Sequence, residues 1–361
     1  MLIKHKPEDF IVEEIPAKEW NTAGGYAVFK LTKTNLNTEQ ATDIISKRFH
    51  LISNNIKYSG AKDKHAQTTQ YISIPNKTGI AQIQLNDEQI KLEHVGYADE
   101  PLSLGTLKGN KFIITLRELN QTELNSLSSK HAPITTLSNI ANEKLKTFTI
   151  PNYFDEQRFS SNNYETGLAI LKKDYKSVVK YLSENNDSFS EKAEAHLIKN
   201  PNDFVGTLNY IPKKTLLMFI HAVQSYFFNE ALAKILIKTA KEKNIKYITI
   251  KYSKGELIFY KNYTDYNYLT TNEKELELIG FNTLEMNYNI RQALDELNLT
   301  QRDFIIRAIP NLSVEGTTRE AIINVENLTI EINNLNKEAT LKFELNKGSY
   351  ATITIKALVS N

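Results

Sequence analysis

A single carboxylate lies among basic side chains in an otherwise acid-free stretch of eleven residues. The stretch runs from Gly60 to Gln70 and reads Gly-Ala-Lys-Asp-Lys-His-Ala-Gln-Thr-Thr-Gln, so that Asp63 is flanked by Lys62 and Lys64. Neighbouring cations favour the ionised form of an acid. We therefore expect Asp63 to be a carboxylate suited to nucleophilic attack or charge stabilisation rather than to proton donation.

Taken by itself, a Lys-Asp-Lys run is more often a solvated turn than a catalytic site. Other chemistries are limited by composition. The chain contains no cysteine, which excludes disulfides, thiolate zinc sites and thiol nucleophiles, and its seven histidines show no metal-ligand spacing. We therefore expect the protein to act without a metal.

Five further blocks accompany the Gly60–Gln70 stretch, in one order over nearly the whole chain. They are Lys4–Glu14, Leu104–Phe112, Pro151–Phe159, His221–Asn229 and Leu345–Thr352. Together the six blocks resemble the signatures of the TruD family of tRNA pseudouridine synthases. In that family the pattern Gly-x-Lys-Asp-Lys-x-Ala-x-Thr-x-Gln carries the catalytic aspartate, so the resemblance assigns that role to Asp63.

Three positions depart from the family pattern. Asp155 and Ser160 stand where the family usually has glycine, and Gln224 stands where it usually has arginine. Asp155 puts in doubt a turn with positive φ, although aspartate tolerates the left-handed region better than most residues. Gln224 removes a charge from the second domain, so a family contact with RNA or between domains at that position is not carried over to this chain.

The resemblance implies that the protein isomerises uridine to pseudouridine, at position 13 in the D arm of tRNA, without a cofactor. This reaction breaks the bond between N1 of uracil and the ribose, turns the base and rejoins it through C5. Positive charge developing at the anomeric carbon resembles that in glycoside cleavage, where a carboxylate is the natural stabiliser. One aspartate can suffice because no water is activated. Attack on the sugar, addition to the base and abstraction of a sugar proton all stay open for Asp63.

The resemblance also implies a set of residues that bind the RNA. A uridine in folded RNA must be extruded to reach a catalytic aspartate, which calls for an aromatic surface. Phe112 and Tyr350 match family positions lining the active site, although an aromatic residue in a strand pattern is usually core. Asn110 is expected to hold the base edge or a backbone carbonyl. The cations expected to contact RNA or to support the site are Lys4, Lys62, Lys64, Lys108 and Arg158.

Two of these cations have a second interpretation. Lys4 matches a family lysine near the aspartate, where it would bind phosphate or keep Asp63 ionised. Arg158 would contact RNA or anchor the domain junction. For an isolated lysine near the start of the chain, solvation is the ordinary expectation.

Charge distribution is more informative than the net charge of +2. Four lysines and one acid lie between Lys57 and Lys77, and three cations and no acid lie between Leu104 and Arg117. If these segments are neighbours in the fold, they form a basic groove for the phosphates of a tRNA. Otherwise they are lysine-rich solvated loops.

Hydrophobic periodicity predicts an α+β fold. Short β-rich runs occur at 9–15, 26–32, 69–74, 91–98 and 111–119, and a capped helix is predicted at 38–49. A long apolar stripe predicts a helix at 214–243, in which Phe227 and Phe228 pack in the core, and 247–260 reads as strand, turn and strand. The resemblance implies a mixed, largely antiparallel pseudouridine-synthase sheet with flanking helices.

The last part of the chain suggests how these elements are divided into domains. Residues 339–345 and 351–358 alternate like two strands of a hairpin, and an isolated hairpin is marginally stable, so it must join a sheet. We infer a discontinuous catalytic domain, 1–151 and 310–361, with a helix-rich α/β domain inserted at 152–309. The resemblance implies a V-shaped molecule with an RNA-binding cleft.

Cytoplasmic location is the default expectation, since the start of the chain lacks the apolar run of a signal peptide. No membrane contact and no obligate protein partner are implied, and a monomer is expected. Two other functions stay open. The first is a non-catalytic RNA-binding or chaperone protein of the same fold; the second is a glycosidase-like hydrolase, which needs a second carboxylate near Asp63. Glu13–Glu14 and Asp155–Glu156 are the adjacent acid pairs considered for that role.

Overall fold

The chain forms two compact units in a computed structural model that describes residues 1–77, 79–136, 147–184 and 191–360. The first unit comprises Met1–Phe148, Asn324–Ala351 and Leu358–Asn361. The second comprises Thr149–Ile323 and Thr352–Ala357.

The described parts of the chain contain both strands and helices. The strands are β1 (Phe10–Pro16), β2 (Tyr26–Thr34), β3 (Lys57–Tyr58), β4 (Gln67–Pro75), β5 (Leu85–Asn86), β6 (Ile90–Ala98), β7 (Leu107–Leu116), β8 (Phe148–Pro151), β9 (Tyr247–Tyr252), β10 (Gly255–Tyr260), β11 (Glu275–Leu278), β12 (Thr317–Glu320), β13 (Ile322–Asn333) and β14 (Glu338–Asn346). The helices are α1 (Thr38–Arg48), α2 (Gln121–Thr136), α3 (Asn163–Leu171), α4 (Tyr175–Glu184), α5 (Glu191–Lys199), α6 (Phe204–Leu208), α7 (Lys213–Lys243), α8 (Tyr288–Glu296) and α9 (Ala351–Val359).

A large mixed sheet is the centre of the first unit. Its strands follow the order β5-β6-β2-β4-β1-β7-β14-β13, and β3 pairs with β4 outside this path. Strands β1 and β4 run parallel, whereas β1 with β7, β2 with β4 and β14 with β7 are antiparallel. The predicted α+β class, with a mixed and largely antiparallel sheet, is confirmed.

Helix α1 illustrates how local sequence and packing agree. The Asn37 side chain accepts a hydrogen bond from the Gln40 amide at 2.7 Å, and the Gln40 side chain accepts one from the Asn37 amide at 3.0 Å. This reciprocal capping box satisfies two donors that the first helical turn leaves free. Ala41 and Ile45 are completely buried against the sheet. The predicted helix at 38–49 is confirmed.

Helices dominate the second unit. Helix α7 spans 31 residues, and Phe227 and Phe228 are completely buried in it, as predicted. Strands β9 and β10 form the predicted hairpin. Asp155 has φ −94°, so this position does not require the backbone conformation of glycine, and its buried carboxylate pairs with Lys356. Among the described residues, no helix is long and apolar enough to cross a membrane.

The prediction of a strand at 351–358 is wrong, because these residues form helix α9. Alternating β-branched residues suggested a strand, but Ile353, Thr354, Ile355 and Leu358 are all almost completely buried. Most of the surface of this helix is buried, and tertiary burial overrides β-propensity. Strand β14 does join the N-terminal sheet, as expected, but its hairpin partner is β13.

Candidate active site

Asp63 lies in the loop that joins β3 to β4, the position expected from the sequence. Its side chain is 35% exposed and forms an ion pair with Lys4. A reactive carboxylate must be accessible to substrate, and Asp63 is accessible. The cation that pairs with Asp63 comes from a segment 59 residues away in the chain.

Lys4 is held in place by the backbone on either side of it. Leu2 and Arg117 exchange two backbone hydrogen bonds of 2.8 and 3.0 Å, and the Lys6 amide donates to the Asp9 carboxylate at 3.1 Å. Between these two points Lys4 adopts φ 61°, in the left-handed region that a residue with a side chain rarely occupies. The flanking contacts therefore restrain the backbone from which the Lys4 side chain extends.

Arg117 also fixes the buried carboxylate of Asp9. Two guanidinium nitrogens of Arg117 donate to Asp9 at 2.7 and 2.8 Å, and a third contact joins Arg117 to Glu338 on β14. The side-chain hydrogen bond from Arg117 lowers the pKa of Asp9, against the opposing effect of burial. This network connects the segment that carries Lys4 to β7 and β14.

A column of aromatic rings lies beneath Lys4. The ammonium nitrogen is 4.1 Å from the centre of the Phe10 ring, and the centres of the Phe10 and Phe112 rings are 6.2 Å apart. Phe112 in turn stacks on Phe343 at 5.4 Å and is only 6% exposed. Phe112 therefore supports the site from within the core.

The register of the sheet explains why these groups meet. Directly paired residues of neighbouring strands point to the same face. Lys33 of β2 pairs with Thr68 of β4, Thr68 with Val12 of β1, and Val12 with Phe112 of β7. These residues form one row on one face, and the row continues to Phe343 of β14. The Asp63 loop is attached to this face.

Lys62 attaches the loop to β1. Its ammonium nitrogen lies 2.6 Å from Glu14, and the side chains of Lys62 and Glu14 are only 9% and 1% exposed. The second carboxylate oxygen of Glu14 accepts a hydrogen bond from the Tyr71 amide at 3.0 Å. Glu14 is therefore engaged by two partners and does not offer a second free carboxylate beside Asp63.

Three further side chains hold the loop, and the sequence analysis gave none of them a role in the site. Lys33 is completely buried and donates hydrogen bonds to the carbonyl oxygens of Lys62 and Asp63. The other two, Thr38 and Gln70, contact the loop backbone at Lys62 and Gly60. The sequence contained one indication that Lys33 is buried. Residues two apart in a strand share a face, and Lys33 follows the apolar Phe29 and Leu31 at that spacing.

Burial has a strong effect on the ionisation of Lys33. Loss of hydration lowers the pKa of Lys33 to about 8, although the negative charge of Asp63 partly opposes this change and the positive charge of Lys62 adds to it. A buried ammonium group is stable only when its donors are satisfied. The carbonyl oxygens around Lys33 provide that satisfaction.

The remaining predicted site residues lie in several parts of the structure. Asn110 pairs with Glu14 across β1 and β7, and within the described chain its buried Oδ1 atom has no hydrogen-bond partner. Lys64 and Lys108 are exposed, and Tyr350 directly precedes α9. Arg158 belongs to the second unit, where its guanidinium lies 5.4 Å from the centre of the Phe154 ring.

The two basic segments meet at a pair of hydroxyl groups. Ser59, in the segment that leads to Asp63, lies 2.8 Å from Thr106, which directly precedes β7. Lys108 follows two residues later and its carbonyl oxygen accepts a hydrogen bond from the Lys347 amide. Across the parts of the chain that the structure describes, no three acidic or histidine side chains form a metal-binding group.

The family model for tRNA pseudouridine synthase D (TruD) matches residues 1–195 and 188–358 of the chain. The chain belongs to the TruD family of tRNA pseudouridine synthases. It is therefore an isomerase of the pseudouridine synthase type. The expected family assignment, based on six short blocks, is confirmed.

Individual relatives match over nearly the whole length of both chains. A protein of Methanocaldococcus jannaschii named "Probable tRNA pseudouridine synthase D 2" is 32% identical, with 99% of this chain and 91% of that protein covered. The tRNA pseudouridine synthase D of Aquifex aeolicus is 26% identical, with coverages of 99% and 97%. A crystal structure of a TruD protein from Methanosarcina mazei has a TM-score of 0.65, 24% identity, and coverages of 99% and 93%. The solved structure supports the same fold.

Proposed function

We propose that the protein converts uridine 13 in the D arm of tRNA to pseudouridine and that Asp63 is the catalytic carboxylate. The observation that carries this proposal is the ion pair of Asp63 with Lys4 in an accessible loop. An ionised carboxylate can attack the sugar, add to the base or abstract a sugar proton. Each of these steps requires its negative charge.

One carboxylate is sufficient for this isomerisation. A hydrolase that activates water uses a second acid, and Glu14 is tied to Lys62 and the Tyr71 amide. In the isomerase the released base stays in the pocket, so that C5 replaces N1 in the bond to the ribose. This requirement favours the isomerase over the glycosidase-like hydrolase.

We propose that groups around Asp63 recognise the uracil base. The buried Oδ1 atom of Asn110 is an acceptor that an N–H group of uracil can satisfy. Tyr350 is the aromatic residue proposed to contact the extruded base, and Phe112 supports Phe10 and Lys4 from below. Lys64 and Lys108 are the exposed cations proposed to bind phosphates.

The two units receive separate roles in this proposal. The first unit, which contains Asp63, is the catalytic domain, and the second is the inserted domain of the family. Arg158 is the residue of the second unit proposed to contact RNA. We propose that the protein acts as a cytoplasmic monomer on tRNA and needs no cofactor.

Tritium release tests the proposal directly. Formation of pseudouridine replaces the hydrogen on C5 of uracil, so tRNA labelled there releases tritium into water. Wild-type protein should release one label per tRNA when U13 is present and none when position 13 is cytidine. Asp63→Asn should abolish release, whereas Asp87→Asn, at an exposed acid of the same unit, should not change it.

Other results would contradict the proposal. Tritium release from tRNA that has cytidine at position 13, mapped to another uridine, would show that position 13 is not the target. Full activity of Asp63→Asn would overturn the catalytic role. Free uracil among the products would indicate a hydrolase, and tRNA binding without any turnover by the wild-type protein would indicate the non-catalytic RNA-binding alternative.

A further inference from the structure

We propose that Lys33 is a positioning residue that fixes the backbone of Asp63 and thereby aims its carboxylate at the substrate. This inference rests on the proposed catalytic role of Asp63. Lys33 itself is completely buried and does not contact substrate. It acts through the loop that precedes β4.

The geometry at Lys33 is that of a three-point anchor. Its ammonium nitrogen donates to the carbonyl oxygens of Leu36 at 2.6 Å, Asp63 at 3.0 Å and Lys62 at 3.3 Å. An ammonium group has three donors, so all three are used. Leu36 belongs to the link between β2 and α1 and packs against the hydrophobic core, so the anchor joins the Asp63 loop to a separate segment of the chain.

Neighbouring polar side chains complete the attachment without contacting Asp63. The Thr38 hydroxyl accepts a hydrogen bond from the Lys62 amide at 2.9 Å and donates to Gln70 Oε1 at 2.8 Å. Gln70 Nε2 then donates to the Gly60 carbonyl at 3.3 Å. Within this set, Lys33 is the side chain that bonds to the backbone of Asp63 itself.

Stability alone does not account for a lysine at this position. Taking an ammonium group out of water costs free energy, which the hydrogen bonds of Lys33 to three carbonyl oxygens only offset. The buried charge of Lys33 lies where it can donate hydrogen bonds to two consecutive carbonyl groups of the loop, those of Lys62 and Asp63. A displacement of about 1 Å at a reacting group can cost roughly 100-fold in rate. Precision at Asp63 is therefore a sufficient reason for the anchor.

The main test compares Lys33→Met with the wild type. Under saturating tRNA we expect kcat to fall about 100-fold, while KM and the tRNA Kd stay within about twofold, because phosphate contacts are elsewhere. A second readout does not depend on activity. Release of the loop should accelerate tryptic cleavage after Lys62 and Lys64 and speed amide exchange at Lys62.

A rescue experiment separates positioning from a general packing defect. The natural chain has no cysteine, so Lys33→Cys introduces a unique thiol. Alkylation in denaturant followed by refolding gives either an aminoethyl adduct, which restores the ammonium group, or a propyl adduct of the same length without charge. We expect the aminoethyl form to recover most of kcat and protease resistance, and the propyl form to behave like Lys33→Met.

Two results would overturn the inference: wild-type kcat in Lys33→Met, or equal kcat in the two adducts. If Lys33→Met does not fold, the comparison of kcat between the aminoethyl and propyl adducts tests the inference. Asp63→Asn is assayed in parallel, because its full activity would remove the proposed function instead. In that case the protease readout still reports whether Lys33 orders the loop.

Discussion

The ammonium nitrogen of Lys62 lies 2.6 Å from the carboxylate of Glu14, and both side chains are withdrawn from solvent. The residue that directly precedes Asp63 is thus tied to the central strand β1. Lys62 was expected to contact RNA or to support the site, and its ion pair with Glu14 gives it a structural contact. Lys64 and Lys108 are exposed and therefore better placed for phosphate.

Breaking this buried pair should destabilise the first unit. Lys62→Met leaves Glu14 buried without its cation, and we expect a loss of about 3 kcal/mol in the free energy of unfolding. The double variant with Glu14→Gln should lose less than the sum of the single variants, by about 1–3 kcal/mol. Denaturant unfolding measures both quantities. Additive losses would contradict a direct interaction.

Salt dependence should distinguish phosphate contacts from structural lysines. Replacing Lys64 or Lys108 with methionine should weaken tRNA binding and reduce the slope of log K against log salt by about one each. Lys62→Met should leave the slope unchanged, and Lys47→Met, at an exposed site on α1, is the matched control. A slope that is unchanged in both the Lys64 and Lys108 variants would place the groove elsewhere.

Removing the cation beside Asp63 should lower the rate more than the affinity. Lys4→Met removes the ammonium group that pairs with Asp63, so we expect kcat to fall by about 10- to 100-fold. Lys6→Met, at an exposed lysine two residues away, should have wild-type kcat. Single-turnover rates at saturating enzyme measure the effect. Equal rates for the two variants would remove Lys4 from the site.

Alkaline pH should change activity and stability in opposite directions through Lys33. The folded protein holds Lys33 with a pKa of about 8, below its value of about 10.5 in the unfolded chain. Between these values the unfolded chain binds more protons, so the contribution of Lys33 to stability rises with pH. Loss of its charge removes one donor of the anchor, so kcat should fall above pH 8.

Lys33→Met is the control for this pH profile. It should lack both the alkaline fall in kcat near pH 8 and the matching rise in stability, because it has no group that titrates there. If wild type and Lys33→Met showed the same fall in kcat at alkaline pH, the group that titrates would be one other than Lys33. The measurements are single-turnover rates and denaturant midpoints between pH 7 and pH 10.

Local sequence was enough to predict the elements that position the site. Strand periodicity located β1, β2, β4, β6 and β7 to within four residues, and the Asn37 capping box located the start of α1. Asp63 was correctly placed in a loop because Gly60 and the lysines around it interrupt the alternation of the strand that follows. These features depend on neighbours in the chain.

Features that depend on distant contacts could not be predicted in the same way. Helix α9 has the alternation of a strand and is helical because its surroundings bury it. Lys33 appears in the sequence as an ordinary strand lysine, and its role exists only because the loop returns to its face of the sheet thirty residues later. The pairing of Lys62 with Glu14 likewise needs the register of β1 and β4.

The position of β14 between β7 and β13 affects how the protein is made on the ribosome. About 220 residues separate the end of β7 from the start of β14. At about 5–20 residues per second, the edge of β7 waits about 10–40 s for its partner. An unpaired edge strand is a template for aggregation. The sheet of the first unit is therefore exposed to aggregation on the ribosome until β14 has been synthesised.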